Sequence, residues 1–347
     1  MVIHQDENKI ETGSVKVDYR KYYRIFLTLF LLSFGVNLFF LTFYFIERIS
    51  WPLFPGGGKG AKESRKEGET KGMVPVPIVH NKSEEYVLLC EKMSKTLHLY
   101  HSEENTFSLF KSYPCIVGSN HVDKREVGDL ATPEGIYFLL SFLSGKGLPE
   151  KYGDGAFSLN YPNRLDEMEG KKGSGIWLHG FPDHTEPPLH SEGCIVVENA
   201  VLRELMGFVK TGDTPLVIVD TIKYQSQEKR LMLVQQLKDF LGNWEVAWEA
   251  LDTEKYLSFY SKDFTNSEGM NYDRFKEHKT RVNRYKKFIK LEIEPTSFLL
   301  SQKDERRIAV IRINQGYRSD NFNHYTRKLL YLTEEQGQWK IVGDVAF

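Results

Sequence analysis

The residues best suited to covalent chemistry lie in the segment WLHGFPDHTEPPLHSEGCIVV, Trp177–Val197. A His-Gly pair, His179 and Gly180, ends one apolar run, and a Ser-x-Gly-Cys turn that closes on Cys194 begins another. A thiol becomes a useful nucleophile near neutral pH when a base or a positive charge lies beside it. If the two runs are neighbouring strands, the imidazole and the thiol meet at their ends, and the glycine backbone beside the thiol can approach an oxyanion. The pattern therefore predicts an acyl-transfer site with Cys194 as nucleophile and His179 as base.

Zinc binding is the main competing chemistry for this segment. Four side chains could supply ligands, namely His179, His184, His190 and Cys194. Their spacing is irregular and no second cysteine lies nearby, so the usual zinc patterns do not match. We expect His184 and His190, in the polar loop 182–191, to contact the substrate or belong to a lid at most. The prediction therefore includes no metal and no cofactor.

Composition narrows the class of protein. The chain has 347 residues, enough for about two domains, and its 41% hydrophobic content supports ordinary globular cores. Its formal net charge is -1, so charge does not favour nucleic acid as a partner. Three cysteines are too few for a disulfide framework. Two alternatives stay open for Cys90 and Cys115: they pair with each other and leave Cys194 free, or both are buried free thiols.

The N-terminal part of the chain predicts a membrane anchor. Ile25–Ile46 is an uncharged apolar run of about 22 residues, which is long enough to span a bilayer. No small-residue cleavage site follows it, which favours an uncleaved anchor over a signal peptide. Basic residues are densest directly before the run, so residues 1–24 are predicted to be cytoplasmic. This predicts a single-pass protein of the inner (cytoplasmic) membrane whose catalytic domain lies in the periplasm, or outside the membrane, after a flexible Gly-, Lys- and Glu-rich linker over 47–75.

Two domains are predicted after the linker. Many short strand-like runs with Gly, Pro and Asn turns and one helix predict a mainly β catalytic domain over 76–222. A charged helical segment over 223–240 is expected to connect it to a second domain over 241–347. There, helical patterns come before four long strand-like runs, which is typical of an α+β fold.

The second domain contains no recognisable catalytic constellation, but one of its predicted helices is strongly basic. This helix is either a solvated face or a surface for an anionic partner, which would be the glycan–peptide mesh or a protein. Its basic residues are Arg274, Lys276, Lys279, Arg281, Arg284, Lys286 and Lys287.

The segment with His179 and Cys194 resembles the YkuD-type L,D-transpeptidase catalytic domain, whose signature is His-Gly, a gap, and Ser/Thr-x-Gly-Cys followed by aliphatic residues. The stretches GDLATPEGIYFL, Gly128–Leu139, and LNYPNRLD, Leu159–Asp166, are similar to other segments of that family. The chain especially resembles the peptidoglycan L,D-carboxypeptidases of helical bacteria, which carry a C-terminal domain similar to nuclear transport factor two. The resemblance implies a β-sandwich catalytic domain and a curved-sheet second domain.

The resemblance also implies a substrate and a role for each residue. Cys194 attacks the carbonyl that joins meso-diaminopimelate to the terminal D-alanine of a peptidoglycan stem tetrapeptide. His179, oriented by the backbone carbonyl of Gly180, moves the proton, and the backbone N–H groups of Gly193 and Cys194 hold the oxyanion. Residues expected to contact the substrate, with strand packing as the alternative for the first four, are Tyr137, Tyr161, Asn163, Trp177, Ser191 and Glu192.

Three activities stay open at this point. Water as the acceptor gives a carboxypeptidase, whereas an amine gives a transpeptidase that forms cross-links or attaches proteins. The third alternative is an inactive, membrane-tethered wall-binding scaffold. Glu192 is a departure from the family, because many members carry His or Arg directly before Gly-Cys. A carboxylate at this position repels a substrate carboxylate unless it points away, so the motif leaves the recognition of substrate charge unexplained.

Overall fold

The computed structural model describes residues 73–81, 85–103, 106–303 and 306–346, all within one compact unit of the chain. The predicted cytoplasmic segment and transmembrane span, and the linker as far as residue 72, lie outside these ranges. Within them, no helix combines the length and the apolar character that crossing a membrane requires.

The catalytic half of the described chain is built on an eight-stranded sheet. Two short strands precede it, β1 (Met73–Pro75) and β2 (Ile78–Asn81). Its own strands are β3 (Glu85–Glu91), β4 (Thr96–Glu103), β5 (Thr106–Pro114), β6 (Gly135–Ser144), β7 (Gly155–Leu159), β8 (Trp177–His179), β9 (Ile195–Val196) and β10 (Pro215–Val219). Their spatial order is β5-β4-β3-β10-β6-β7-β8-β9. Ile116, just after β5, bridges to Val196 of β9, so the two ends of the sheet come together.

Two short α-helices and two 3-10 helices complete this mainly β domain. The α-helices are α1 (Arg164–Met168) and α2 (Asn199–Leu205), and the 3-10 helices are Gly145–Gly147 and Glu150–Tyr152. The one helix predicted for this domain corresponds to α2. The prediction of a mainly β domain is confirmed.

The central strand β10 shows why the sheet forms. Its residues read PLVIV, an unbroken apolar run that is typical of a strand covered on both faces. Leu216 and Ile218 enter the core that also contains Leu178 of β8, whereas Val217 belongs to a second core on the opposite face. Each such fully buried side chain contributes about 1.5–3 kcal/mol to stability.

The second half of the described chain has three helices and a curled six-stranded sheet. Its elements are β11 (Tyr224–Ser226), α3 (Gln227–Glu249), α4 (Thr253–Ser258), β12 (Tyr260–Asn266), α5 (Tyr272–Arg284), β13 (Ile289–Lys303), β14 (Arg306–Ser319), β15 (Asn323–Glu335) and β16 (Gln338–Ala346). The sheet order is β12-β16-β15-β14-β13-β2, and the helices pack on one face. The predicted α+β domain with a curved sheet is confirmed.

The segment predicted as a connector, 223–240, is part of the second domain in the structure. After β11, helix α3 runs without interruption through residue 240 to Glu249. The reason is packing: apolar side chains at helical spacing, including Leu237, Trp244 and Trp248, lie in one core with the second sheet. The N-cap Ser226, whose side chain accepts a hydrogen bond from Lys229 N, sets the start of the helix.

The N-terminal segment also departs from the predicted boundaries. Residues from 76 onward were assigned to the catalytic domain, yet β2 pairs with β13 at the edge of the second sheet. The chain thus contributes a strand to the C-terminal domain before it enters the catalytic sheet. A strand of four residues with no clear alternation carries little sequence signal.

The two sheets share a layer of apolar side chains, here called the interdomain seam. In β14, Ala309 and Ile311 face the helices, whereas Val310 faces the seam. The members of the seam are Ile78, Val87, Leu89, Tyr100, Ile136, Phe138, Val217, Ile222, Leu299, Val310, Leu329, Tyr331 and Val342. Arg312 adds polar contacts, because its guanidinium lies 2.9 Å from Glu85 Oε2 and 3.2 Å from Asp213 Oδ1.

Candidate active site

The two apolar runs that flank the predicted site are neighbouring parallel strands. Leu178 of β8 is in register with Ile195 of β9, and His179 is in register with Val196. The same register continued by one residue places Cys194 beside Trp177. The histidine and the cysteine are thus carried by adjacent backbones at one edge of the sheet.

The imidazole of His179 is held in one orientation. Its Nδ1 lies 2.6 Å from the carbonyl oxygen of Gly180. Because a carbonyl only accepts hydrogen bonds, Nδ1 carries the proton, and Nε2 of the neutral ring keeps a lone pair. Only 6% of the residue is exposed, and this burial lowers the pKa of His179 below 6.5. Near neutral pH the residue is therefore an uncharged base.

Gly180 is required by a close contact that the sequence did not reveal. A Cβ at this position would lie 2.1 Å from Oδ1 of Asn199, the first residue of α2. That same oxygen accepts a hydrogen bond from Asp154 N at 2.9 Å. Asn199 therefore holds the strand end with His179 against the loop that precedes β7, and sequence analysis missed it because nothing in its local pattern marks this role.

The thiol of Cys194 is half-buried and protonated at rest. Its Sγ donates to the carbonyl oxygen of Gly175 over 3.6 Å. Burial raises the pKa of the thiol, while the backbone N–H of Trp177 and the ammonium of Lys151 act in the opposite direction. A base must therefore remove the proton before this sulfur attacks a carbonyl.

The turn before the thiol is locked internally. Gly193 has φ of 129°, a conformation that favours glycine, and an added Cβ would lie 2.7 Å from Ala131 O. Its N–H donates to Ser191 Oγ at 3.1 Å, and the Ser191 hydroxyl donates to Cys194 O at 2.6 Å. Ser191 thus shapes the turn, and an oxyanion reaches the N–H of Gly193 only by displacing this hydroxyl.

A polar loop supports the turn from behind. The carboxylate of Asp129 accepts hydrogen bonds from Lys124 Nζ at 2.7 Å and from the backbone N–H groups of Arg125 at 2.7 Å and Glu126 at 2.9 Å. Partial burial raises the pKa of Asp129, but these hydrogen bonds lower it by more. The pKa of Asp129 therefore lies well below its usual range. The loop is thereby ordered, and its residue Ala131 abuts Gly193.

The 3-10 helix Glu150–Tyr152 forms a wall of the site. The ring of Tyr152 packs edge-on against His179 at 4.8 Å between centroids and lies 5.0 Å from the ring of Trp177. Lys151 Nζ lies 3.7 Å from Glu192 Oε2. The sequence around this turn, GKGLPEKYG, indicates only a loop, so its contacts with the site were not predicted.

Three residues predicted to contact the substrate lie in the interior instead. Tyr137 is fully buried, and its hydroxyl donates to Asp166 Oδ1 at 3.2 Å. Tyr161 is 5% exposed and donates to Lys172 O at 3.1 Å. Asn163 caps α1 by accepting hydrogen bonds from two backbone N–H groups. The two tyrosines have the packing role that the sequence left as the alternative, and the capping role of Asn163 was not predicted. Trp177 and Glu192 lie at the site.

The predicted competing zinc ligands are dispersed. His184 lies in the exposed loop with its Nε2 3.6 Å from Glu150 Oε1, and His190 is exposed. Across the described ranges, no group of three or more His, Cys, Asp or Glu side chains is arranged to hold a metal ion.

Cys90 and Cys115 are buried free thiols in the structure, one of the two alternatives that the sequence left open. Their sulfur atoms lie 3.9 Å apart in the core of the catalytic domain. The neighbouring Cys115 thiol and burial raise the pKa of Cys90 well above its usual value. Both side chains are buried, with Cys90 0% and Cys115 4% exposed, so molecules in solution reach them less readily than Cys194.

The basic helix of the second domain is not a uniform solvated face. Lys279 Nζ lies over the rings of Trp248, Tyr256 and Phe275 at 4.4, 5.4 and 5.3 Å from their centroids. Burial lowers the pKa of Lys279 to about 8. An anionic partner for the remaining basic residues of this helix stays a prediction.

Comparisons with known proteins agree with this geometry. The family model for the L,D-transpeptidase catalytic domain, YkuD, matches residues 85–219, and the model for the Cds6 C-terminal NTF2-like domain matches residues 236–344. The structure of Bdellovibrio bacteriovorus Bd1075 is 32% identical in sequence, with a TM-score of 0.67, and the match covers 79% of this chain and 99% of that one. Among curated proteins, none matches the sequence.

A second similar structure is the helical cell shape determining protein Pgp2 from Campylobacter jejuni. It is 26% identical, with a TM-score of 0.65, and the match covers 78% of this chain and 94% of that one. The structure of a point mutant of Pgp2 is similar to the same extent, with 25% identity and a TM-score of 0.65. The similarity thus extends over both described domains.

Proposed function

The chain belongs to the YkuD family of L,D-transpeptidase catalytic domains, whose enzymes act on peptidoglycan, and from this premise we propose that it is an L,D-carboxypeptidase. In this proposal it removes the terminal D-alanine from stem tetrapeptides through a thioester at Cys194. The observation that carries the proposal is the parallel pairing of β8 and β9, because His179 ends β8 and Cys194 directly precedes β9, so adjacent backbones carry the two residues.

The proton moves between sulfur, imidazole and leaving amine. As Cys194 Sγ attacks the carbonyl carbon, His179 Nε2 takes the thiol proton, and the positive charge on the ring is stabilised by the bond from Nδ1 to Gly180 O. Collapse of the tetrahedral intermediate breaks the carbon–nitrogen bond, and the imidazolium gives its proton to the departing amine of D-alanine. His179 then activates water, which hydrolyses the thioester and releases the trimmed peptide and the free thiol.

The resting pair is uncharged, which suits this sequence of steps. Burial lowers the pKa of His179 and raises that of Cys194, so at neutral pH the site holds a thiol and a neutral imidazole. Proton transfer then occurs as the sulfur attacks. Because the pKa of His179 lies below 6.5, the acidic limb of the activity profile is expected below that pH.

The location and the wall context are also part of the proposal. The apolar run Ile25–Ile46 anchors the protein in the cytoplasmic membrane, and the linker carries the catalytic domain into the periplasm, where peptidoglycan is found. The similar Campylobacter protein is described as determining helical cell shape, and we extend such a role to this chain. The second domain contributes a surface for the glycan–peptide mesh or a protein.

The test is a product analysis with the full chain in detergent. A purified disaccharide-tetrapeptide is incubated with the wild type and with Cys194→Ala, and the products are identified by mass spectrometry. Loss of the terminal D-alanine with the wild type alone is the expected result. A cross-linked dimer or an exchanged terminal residue makes the enzyme a transpeptidase, and an unchanged peptide contradicts the catalytic role.

A further inference from the structure

The ion pair at the rim of the site involves the residue that departs from the family pattern. Glu192 directly precedes Gly193 and Cys194, and its carboxylate lies 3.7 Å from Lys151 Nζ. Both side chains are exposed, with 62% of Lys151 and 81% of Glu192 accessible. Such a pair is weak because water screens the two charges, so another carboxylate can replace Glu192 as the partner of Lys151.

Lys151 is fixed close to the reacting groups by its neighbour in the chain. The ring of Tyr152 packs against both His179 and Trp177, so the backbone that carries Lys151 lies beside these two residues. Burial sets the direction of both pKa shifts, down for His179 and up for Cys194, and the positive charge of Lys151 is a smaller influence that lowers both. The ammonium therefore lies within electrostatic reach of nucleophile and base.

The other lysine whose charge acts on the thiol is already committed. Lys124 is 5% exposed, and its Nζ is hydrogen-bonded to Asp129 Oδ1 at 2.7 Å and to Glu126 O at 2.9 Å. Lys124 orders the loop that packs against Gly193, and its burial keeps it from a ligand in solution. Lys151 is the one of these two lysines that a ligand can reach.

We propose that Lys151 is a specificity-determining residue that binds a carboxylate of the substrate beside Cys194, and that Glu192 holds its ammonium in place until the substrate arrives. This inference rests on the proposed function and deepens it. A stem tetrapeptide ends in a carboxylate directly after the scissile bond, which is the anionic group nearest to the carbonyl under attack. Glu192 then serves as an internal stand-in for that carboxylate, and its exposed side chain turns to solvent when the substrate pairs with Lys151.

A first test needs no peptidoglycan. The rates of alkylation of Cys194 by iodoacetate and by iodoacetamide are measured by peptide mapping of the full chain, because the two reagents differ in one negative charge. Lys151→Met is expected to lower the iodoacetate-to-iodoacetamide rate ratio about fivefold, the effect of one charge at contact distance in water. Glu192→Gln is expected to raise the ratio, and added salt to bring all ratios together.

The matched control is Lys146→Met. Lys146 is an exposed lysine on the same loop, in the 3-10 helix Gly145–Gly147, and its removal is expected to leave the ratio unchanged. An unchanged ratio in Lys151→Met, or an equal fall in Lys146→Met, overturns the inference. Changes in thiol pKa affect both reagents alike and cancel in the ratio.

A second test uses the substrate. Tetrapeptides that end in a free carboxylate and in a carboxamide are compared with the wild type and Lys151→Met. In Lys151→Met we expect the KM to rise about fivefold for the carboxylate peptide and to stay unchanged for the carboxamide, because only the carboxylate is attracted by the charge of Lys151. If the wild type turns over neither peptide, the proposed function fails while the alkylation ratio still decides the role of Lys151. If the wild type is active and the variant treats both peptides as the wild type does, the inference alone fails.

Discussion

The active-site edge and the interdomain seam are held together by different kinds of interaction. At the edge, His179 ends a strand of three residues and Cys194 directly precedes a strand of two, and single atoms such as Gly180 O and Asn199 Oδ1 set the geometry. In the seam, strands of up to 15 residues press apolar side chains of two sheets together, with Arg312 as a buried polar tie. Substitutions at the active-site edge should therefore lower kcat without unfolding the protein. Substitutions in the seam should lower the free energy of unfolding without changing the kcat of the folded protein.

The largest effect is expected at the base. His179→Ala should lower kcat by about 10²–10⁴, the usual contribution of a positioned general base, and leave the melting temperature nearly unchanged. Turnover of the tetrapeptide and thermal unfolding are measured side by side. The control is His324→Ala, because His324 is an exposed histidine in the second domain. Full activity in His179→Ala would show that His179 is not the catalytic base.

The seam should respond to loss of its polar tie. Arg312→Met leaves the carboxylates of Glu85 and Asp213 without this guanidinium, and we expect the free energy of unfolding to fall by about 3 kcal/mol. The kcat of the folded fraction should not change. Denaturant unfolding gives the free energy, and Arg306→Met serves as the control because that side chain is 61% exposed. A loss of kcat in folded Arg312→Met would mean that the two regions are coupled.

The glycine after the base should be intolerant of a methyl group. In Gly180→Ala the Cβ meets Asn199 Oδ1 at 2.1 Å, so the strand end with His179 must shift. A misplacement of about 1 Å costs roughly 10²-fold in rate, and kcat is the quantity to measure. Gly147→Ala is the matched control, because an added Cβ there meets nothing within 4 Å. Equal activity of the two variants would show that this contact does not position the base.

The smallest effect concerns a half-buried histidine, His80 on β2. Burial, with Lys238 and Arg230 nearby, lowers its pKa to about 4. The unfolded chain takes up a proton near pH 6.5 and the folded one only near pH 4, so stability falls as pH drops through this window. After allowance for partial exposure the loss is about 2 kcal/mol.

The measurement is denaturant unfolding between pH 7 and 4 with His80→Gln. The variant should show a flatter dependence on pH, because glutamine does not titrate. His121→Gln, at an exposed position, should behave as the wild type does. If the free energy of unfolding of His80→Gln depends on pH as steeply as that of the wild type, other groups cause the acid sensitivity.

Sequence patterns predicted the parts whose signal is local. The alternation of the long strands β13 to β16 and the His-Gly and Ser-x-Gly-Cys motifs each appear in consecutive residues. The roles of Tyr152, Lys151 and Asn199 depend on distant segments that meet only in the folded chain, so nothing in their neighbourhood marks them. The opposite error concerns Tyr137, Tyr161 and Asn163, which were predicted to contact the substrate. Their polar groups are suitable for binding a substrate, but in the folded chain they form hydrogen bonds in the interior.

The positions of β2 and α3 in the second domain also depend on distant contacts. A short strand such as β2 is defined by the edge it joins, and its partner β13 lies far along the chain. The charge of residues 223–240 suggested a connector, but the apolar stripe of α3 packs on the second sheet. In both cases tertiary packing decides where an element belongs.

The central claim is that Cys194 carries the acyl group. Full-length protein is mixed with the tetrapeptide, quenched in acid within the first turnover, digested and examined by mass spectrometry. We expect a thioester adduct of the trimmed stem peptide on the fragment that contains Cys194, and on neither Cys90 nor Cys115. Release of D-alanine without any adduct, together with continued release by Cys194→Ala, would contradict it.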